Sequence, residues 1–315
     1  GGGASVATSV FTSSYNTING YYQNYYSGGA KSVTFIVGPS SNSDSNTYDY
    51  TTDGAADDVQ IQAAIDALPS NGGTIVLREG TYTTSSTINI TNNGIRIIGM
   101  GRGTIIRHTS STTHTLVSGV GNYPVFENIY FDGSGTVLST SGINISGQTP
   151  IINKCYFVGF TLSAIIGVNS NAFDEEGMVT DCYFENWANG FAGYALDGFW
   201  GSIKGCVFIN TSVDAQYIGS SGALSSSTSI TGCTFVLPNS YNQICIAGNG
   251  NLISDNVFSI GTTAGASCII IDGDAATRIS GNSIEFGATA DISALAIRDP
   301  DTCVNNYING AGTGI

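Results

Sequence analysis

The residues best placed to do chemistry are acidic and aromatic, and they cluster in one third of the chain. Asp174, Glu175 and Glu176 stand close in sequence to Asp181, Glu185 and Asp197, and Lys204 follows. Trp187 and Trp200, the only tryptophans, lie in the same stretch. A pair of carboxylates can act as acid and base on a glycosidic bond. A lysine beside them can serve as a base when its pKa is lowered. Asp181, Glu185 and Lys204 are therefore the candidate catalytic residues, and Trp187, Trp200 and Asp174 the candidate glycan-binding ones. The bland reading of the same residues is a solvated loop with tryptophan packed beneath it. Asp272-Gly-Asp274 and Asp299-Pro-Asp301 could share calcium through oxygen ligands, although ordinary turns need no ion. Otherwise the sequence points to no cofactor.

Other chemistry is thin. His108 and His114 are the only histidines, and they read as surface or turn residues. Gly99-Met-Gly-Arg-Gly103 resembles a phosphate-cradling loop only faintly, because a strand pattern follows it rather than a helix start. The seven cysteines do not form a disulfide framework. Most read as buried packing thiols, and their spacing is not the close pair of a zinc site.

Four of those cysteines instead mark a repeat. Ile152-Asn-Lys-Cys155-Tyr-Phe157 returns as Val179-Thr-Asp-Cys182-Tyr-Phe184, Ile203-Lys-Gly-Cys206-Val-Phe208 and Ile230-Thr-Gly-Cys233-Thr-Phe235. It continues as Ile253-Ser-Asp-Asn256-Val-Phe258, Ile279-Ser-Gly-Asn282-Ser-Ile284 and Cys303-Val-Asn-Asn306-Tyr-Ile308, with a looser copy at 126–131. The closing apolar residues recur every 23 to 27 residues. Such a period without helical patterning means a solenoid whose units bury a core only by stacking. The alternation within each phrase reads as strand, with Ile and Phe inward. Residues at one slot of successive coils stack about 4.8 Å apart. Cys155, Cys182, Cys206, Cys233, Asn256, Asn282 and Asn306 thus form one ladder. Asn can pass amide hydrogen bonds along it, while small Cys can fill the slot without a partner. The pattern predicts an all-β, single-stranded parallel β-helix of about ten coils.

The start of that solenoid carries its own signals. Ile61, Ala64, Ile65 and Leu68 form one helical stripe over 57–68. Asp57 could cap it, with Gln60 completing a capping box. The helix is the right size to cover the open first coil. Strands are predicted at 31–37, 74–77, 87–90, 95–98, 104–106 and 115–117. Asp53-Gly-Ala-Ala-Asp-Asp58, Ile61-Gln-Ala-Ala-Ile65, Gly72-Gly-Thr-Ile-Val-Leu77 and Glu79-Gly-Thr-Tyr82 resemble the N-terminal cap of the pectate-lyase-like right-handed β-helix superfamily. That resemblance spans roughly 51–310. It implies the fold, but not one function, because the superfamily holds lyases, hydrolases, epimerases, adhesins and structural proteins. A lyase of this kind implies an Arg or Lys base with aspartates around calcium, yet the later cations Lys154, Lys204, Arg278 and Arg298 are scattered over many coils. Within the later coils the Asn-Thr-Asp, Asp-Asp, Gly-His-Gly and Arg-Ile-Lys motifs of galacturonase-like hydrolases are missing.

Composition narrows the partners. Net charge is −14 with nine Lys plus Arg, which argues against nucleic acid and anionic membranes. No apolar run approaches the length of a membrane span. The acidic, Ser/Thr-rich makeup, with sequons at Asn89, Asn144 and Asn210, suits an extracellular or cell-surface protein. The start Gly1-Gly-Gly-Ala reads as a processed end. Residues 1–50 read as an N-terminal arm and 51–315 as the β-helix. Tyr21, Tyr22, Tyr25 and Tyr26 in the arm could dock a neighbouring subunit. Ile308 and Ile315 could meet another copy, since no capping segment follows the last phrase. The first expectation is a non-enzymatic, self-assembling subunit of a filament, sheath or surface layer, a homo-polymer. The alternative is a carbohydrate-active β-helix protein, either a polysaccharide lyase or hydrolase or a glycan-binding tailspike or adhesin.

Overall fold

The repeated phrase folds as two strands rather than one. In each coil a short strand ends at a residue with a left-handed backbone, and a second strand starts two residues later. Ile151–Asn153 and Tyr156–Val158 are one such pair. The left-handed positions are Asn128, Lys154, Asp181, Gly205, Gly232, Asp255, Gly281 and Asn305, with φ between 53° and 70°. Gly, Asn and Asp tolerate this conformation best, which explains the third residue of each phrase. Lys154 is the exception. The ladder residue comes next and points inward at the corner.

A computed structural model describes residues 33–109, 112, 114–134, 141–147, 149–161, 163–167, 177–186, 193–198, 201–209, 215–219, 228–237, 244–247, 250–260, 267–272, 277–286, 295–298 and 302–310. Among these residues the strands form three parallel sheets, of twelve (sheet A), ten (sheet B) and nine strands (sheet C). Sheet A holds the first strand of each phrase and sheet B the second. Sheet C closes each coil, from Ile88–Ile90 to Leu295–Arg298. The chain is a right-handed parallel β-helix, as the repeat predicts.

The core is built in columns. Phe131, Phe157, Phe184, Phe208, Phe235 and Phe258 pair in register along sheet B, followed by Ile284 and Ile308. Neighbouring rings stack with centroids 4.7–5.1 Å apart and planes within 9°. Each such pair adds about 0.5–1.5 kcal/mol beyond its buried area. A second column in sheet A runs Phe126, Ile152, Val179, Ile203, Ile230, Ile253 and Ile279, all fully buried.

The ladder runs beside these columns. Asn256 Nδ2 donates to Ile230 O and to Asn282 Oδ1, both at 3.0 Å. Asn282 repeats this toward Ile253 O (3.0 Å) and Asn306 Oδ1 (2.9 Å). The cysteines are buried, as expected, but they do not lack partners. Cys155 N donates to Cys182 Sγ at 3.4 Å, and each ladder sulfur lies near a backbone carbonyl. Cysteine therefore imitates asparagine in this slot. Cys155, Cys182, Cys206, Cys233 and Cys303 are free thiols. The side chains of Cys245 and Cys268 lie outside the described residues.

The predicted helix is Asp58–Asp66, with Ile61, Ala64, Ile65 and Leu68 buried. Asp57 does not cap it. Its backbone is already helical, and its carboxylate accepts from Gly54 N (2.8 Å) and Thr83 N (2.7 Å) instead. Asp57 N donates to Thr83 O at 2.7 Å, so Gln60 closes no capping box there. Asp58 accepts from Ser85 N at 2.7 Å. Two adjacent carboxylates thus bolt the helix start to the first coil. Gln62 does the same further along, donating to Asn89 O (3.0 Å) and accepting from Asn89 N (2.7 Å).

The strand expected at 31–37 is Thr34–Pro39, and it pairs with both Tyr50–Thr52 and Gly73–Leu77. Part of the expected arm is therefore sheet A, and residues 33–315 form one compact unit. His108 corrects another expectation. It is fully buried, because 104, 106 and 108 are the inward positions of the strand Thr104–His108. Its ring meets His114 edge-on at 4.3 Å, and its Nε2 lies 3.0 Å from Thr112 O. Burial first, and then His108, hold His114 below its ordinary pKa.

Candidate functional site on the outer face of sheet B

Alternation along sheet B sends every second residue outward. One outward row reads Ile105, Tyr130, Tyr156, Tyr183, Val207, Thr234, Val257, Ser283 and Tyr307 in register. Its three consecutive tyrosines have ring centroids 6.0 Å and 5.9 Å apart. They line up because each stands at the fifth position of its phrase. The row was visible in the sequence as Tyr before Phe, but only the strand register shows that the rings meet.

Arg102 completes this row from the side. It sits on a single 3-10 turn, Gly101–Gly103. Gly99 N donates to Glu127 O and Gly101 N to Asn128 O, both at 2.8 Å, and Met100 N donates to Thr104 Oγ1 at 2.9 Å. So pinned, the turn places the guanidinium 4.5 Å from the Tyr156 ring centroid and 5.7 Å from that of Tyr183. The glycine-rich stretch thus positions a cation rather than cradling a phosphate. Among the described residues the ion pairs are Arg78 with Asp44 and Glu79, Arg96 with Glu127, and Arg107 with Asp132. Arg102 has no carboxylate partner among them.

The neighbouring outward row carries Arg107, Asp132, Val158 and Glu185. Arg107 Nε donates to Asp132 Oδ2 at 2.8 Å, while Ser134 donates to Asp132 Oδ1 through both its amide and its hydroxyl. Burial pushes the Asp132 carboxyl up, but the Ser134 donors and Arg107 outweigh it and hold the group below its ordinary value. Both oxygens are occupied, so Asp132 is poorly placed to act as a base. Tyr130 is raised by burial, then by Asp132 and Glu185, against the pull of Arg102 and Arg107. Tyr183 is raised by burial and then by Glu185. Both phenols therefore stay protonated at neutral pH as hydrogen-bonding groups. Beside the tyrosines the face offers aromatic rims, phenol hydroxyls, one stacked guanidinium and the Glu185 carboxylate.

The sequence candidates fall around this face rather than in one cluster. Glu185 belongs to it. Asp181 lies in the corner between sheets A and B, with a left-handed backbone. Lys204 ends a sheet A strand one coil on, and Asp181 N donates to its carbonyl at 2.9 Å. Glu185 stands at the far end of Tyr183–Glu185, away from that corner. Among the described residues no ion pair joins Asp181 or Glu185 to Lys204. Asp174, Trp187, Trp200, Asp274, Asp299, Asp301, Tyr21, Tyr22, Tyr25, Tyr26 and Ile315 lie outside the described residues, as does the Asp272 side chain. Ile308 ends the Phe/Ile column and is partly buried. Arg102, Tyr130, Tyr156 and Asp132 were missed because their grouping depends on register.

No protein family model matches the sequence, and no curated protein matches it. Solved structures do. An alginate lyase from Paenibacillus sp. is 12% identical, with 88% of this chain and 99% of that one covered at a TM-score of 0.52. Pectate lyase Pel9A is 15% identical over 89% of this chain and 78% of that one, TM-score 0.52. The ORF18 protein of Geobacillus virus E2 is 16% identical over 87% of this chain, TM-score 0.51, and this chain spans 61% of its length. At such identities the likeness is one of fold, and the chain has the right-handed parallel β-helix fold of these lyase structures.

Proposed function

We propose that the chain is a surface or secreted β-helix protein that binds polysaccharide along the outer face of sheet B. The observation that carries this reading is Arg102 held over Tyr156 and Tyr183 without a carboxylate partner among the described residues. A guanidinium fixed by stacking is a ready charge-assisted donor for a carboxylate or sulfate on a sugar. The tyrosine row runs along the solenoid axis, so an extended chain laid on it meets one ring per coil. Phenol hydroxyls and Glu185 then bond sugar hydroxyls. The sugar polymers in the names of the lyase structures, pectate and alginate, are both acidic, which supports the same choice. With Asp132 occupied by Arg107 and Ser134, binding without cleavage is the activity this face favours.

Binding to a panel of acidic and neutral polysaccharides tests the reading. Arg102→Ala and Tyr156→Ala should each weaken binding of an acidic polymer about tenfold or more while leaving the thermal melt in place. Equal binding by wild type and both variants would remove sheet B as the site. Release of unsaturated sugar would convert the binder into a lyase.

A second reading, a self-assembling structural subunit, is favoured by outward apolar residues on the later coils. Val257, Val304 and Tyr307 are 46%, 37% and 58% exposed. Electron microscopy of natively isolated protein would show filaments or sheets on this reading, and dispersed particles would end it.

A further inference from the structure

The cysteine ladder has a geometry that packing alone does not require. Cys155, Cys182, Cys206 and Cys233 fill one slot on four consecutive coils and are all buried. Three of these sulfurs meet the same two carbonyls, and the fourth meets one of them. Cys182 Sγ lies 3.3 Å from Thr180 O and 3.6 Å from Ile152 O. Cys206 Sγ lies 3.5 Å from Lys204 O and 3.6 Å from Val179 O. Cys233 Sγ lies 3.5 Å from Thr231 O and 3.8 Å from Ile203 O. Cys155 Sγ repeats the first contact at 3.4 Å from Asn153 O. Identical contacts mean one rotamer, so the sulfurs form a column at the rung spacing of about 4.8 Å.

A metal ion midway between two neighbouring sulfurs, with bonds of about 2.3 Å, spans about 4.6 Å. The column therefore fits an S–metal–S link laid along the solenoid axis. Among the described residues no three His, Cys, Asp or Glu side chains group as metal ligands, which leaves two-coordinate ions. Thiolate selects soft ions. In a slot closed to water a neutral complex is favoured over a charged one, so a dication with two thiolates suits it better than a monocation would.

We propose that this thiol column binds thiophilic dications of the mercury(II) kind as linear bis-thiolate links, Cys155 to Cys182 and Cys206 to Cys233. Each ion forms two metal–sulfur bonds, breaks two S–H bonds and sends two protons to solvent, with no change of oxidation state. Cys182 and Cys206 are closed to water, and each must give up its proton to bind, so uptake is slow and linked to proton release. The proposal is independent of the glycan face.

Mercury(II) chloride titration of the intact, reduced chain tests it, read by sulfur-to-metal charge-transfer absorbance and proton release. The control replaces all four ladder cysteines by asparagine, which already fills the slot at Asn256, Asn282 and Asn306. Wild type should take up two more ions per chain than this variant and release four more protons. C182N and C206N should each lose one ion. X-ray absorption on the loaded wild type should show two sulfur neighbours and no more. Equal uptake by wild type and variant, uptake only after unfolding in urea, or three or more ligands per ion would each overturn the proposal. If the fourfold variant does not fold, the single variants and the absorption spectrum still decide.

Discussion

Asn256 Oδ1 accepts the backbone amide of Cys233 at 2.8 Å. This bond joins the two chemistries of the ladder, thiol on one side and carboxamide on the other. On the asparagine side, Asn282 Oδ1 accepts from Asn256 N and Asn306 Oδ1 from Asn282 N, both at 3.0 Å. On the cysteine side, Cys182 Sγ accepts from Cys155 N at 3.4 Å. Thiol and carboxamide alike present an acceptor to the preceding coil.

That junction predicts an asymmetric pair of substitutions. Asn256→Ala leaves the Cys233 amide unpaired in the core, at about 1–3 kcal/mol. Asn256→Cys should cost clearly less, because sulfur makes the same contacts one coil away. Urea unfolding of both variants checks this, and equal losses would disprove the imitation of asparagine by cysteine.

Phe184 sits mid-column, stacked on Phe157 and Phe208 at 5.1 Å and 4.7 Å. Phe184→Ala should destabilise by about 3–5 kcal/mol, while Ile284→Val, at a column position without ring stacking, should cost about 0.5–1.5 kcal/mol. Thermal and urea unfolding measure both.

The left-handed corner gives a prediction of opposite signs. Gly205 has φ 64°, and an added Cβ would stand 2.6 Å from Asp181 Oδ1, so Gly205→Ala should destabilise by about 1–2 kcal/mol or more. Lys154 has φ 53°, and Lys154→Gly should relieve strain of a similar size. A stabilising Gly205→Ala would contradict the geometry.

Asp132 sets a pH dependence. Its folded pKa is depressed below the ordinary 3.8, so its contribution is present above the unfolded value and is lost as pH falls through the folded one. The difference in melting temperature between wild type and Asp132→Asn should be largest above about pH 4 and shrink below it. A difference that grows on acidification would reverse the assignment.

The fold was legible because the repeat is written in side chains that face the core. Phe157, Phe184 and Phe208 announce their column by spacing alone. The corner was written too, in the Lys, Asp, Gly and Asn before each ladder residue, but reading each phrase as one strand concealed it. His108 was misread because the predicted strand stopped at Ile106, whereas Thr104–His108 carries it to an inward position. The candidate site was much less legible. Arg102 comes from a turn one coil before Tyr130 and reaches across to Tyr156 and Tyr183, a grouping fixed only by three-dimensional register. The acidic run that drew attention in the sequence contributes Glu185 to it.

Gln62 carries a consequence for behaviour in crowded solution. By bonding both the amide and the carbonyl of Asn89, the helix side chain occupies the hydrogen-bonding positions that an incoming strand would use on sheet C. A foreign extended segment therefore finds no open template there, and cross-β growth from that edge is blocked by one carboxamide. Gln62→Ala should leave the solenoid folded yet raise its tendency to seed fibrils.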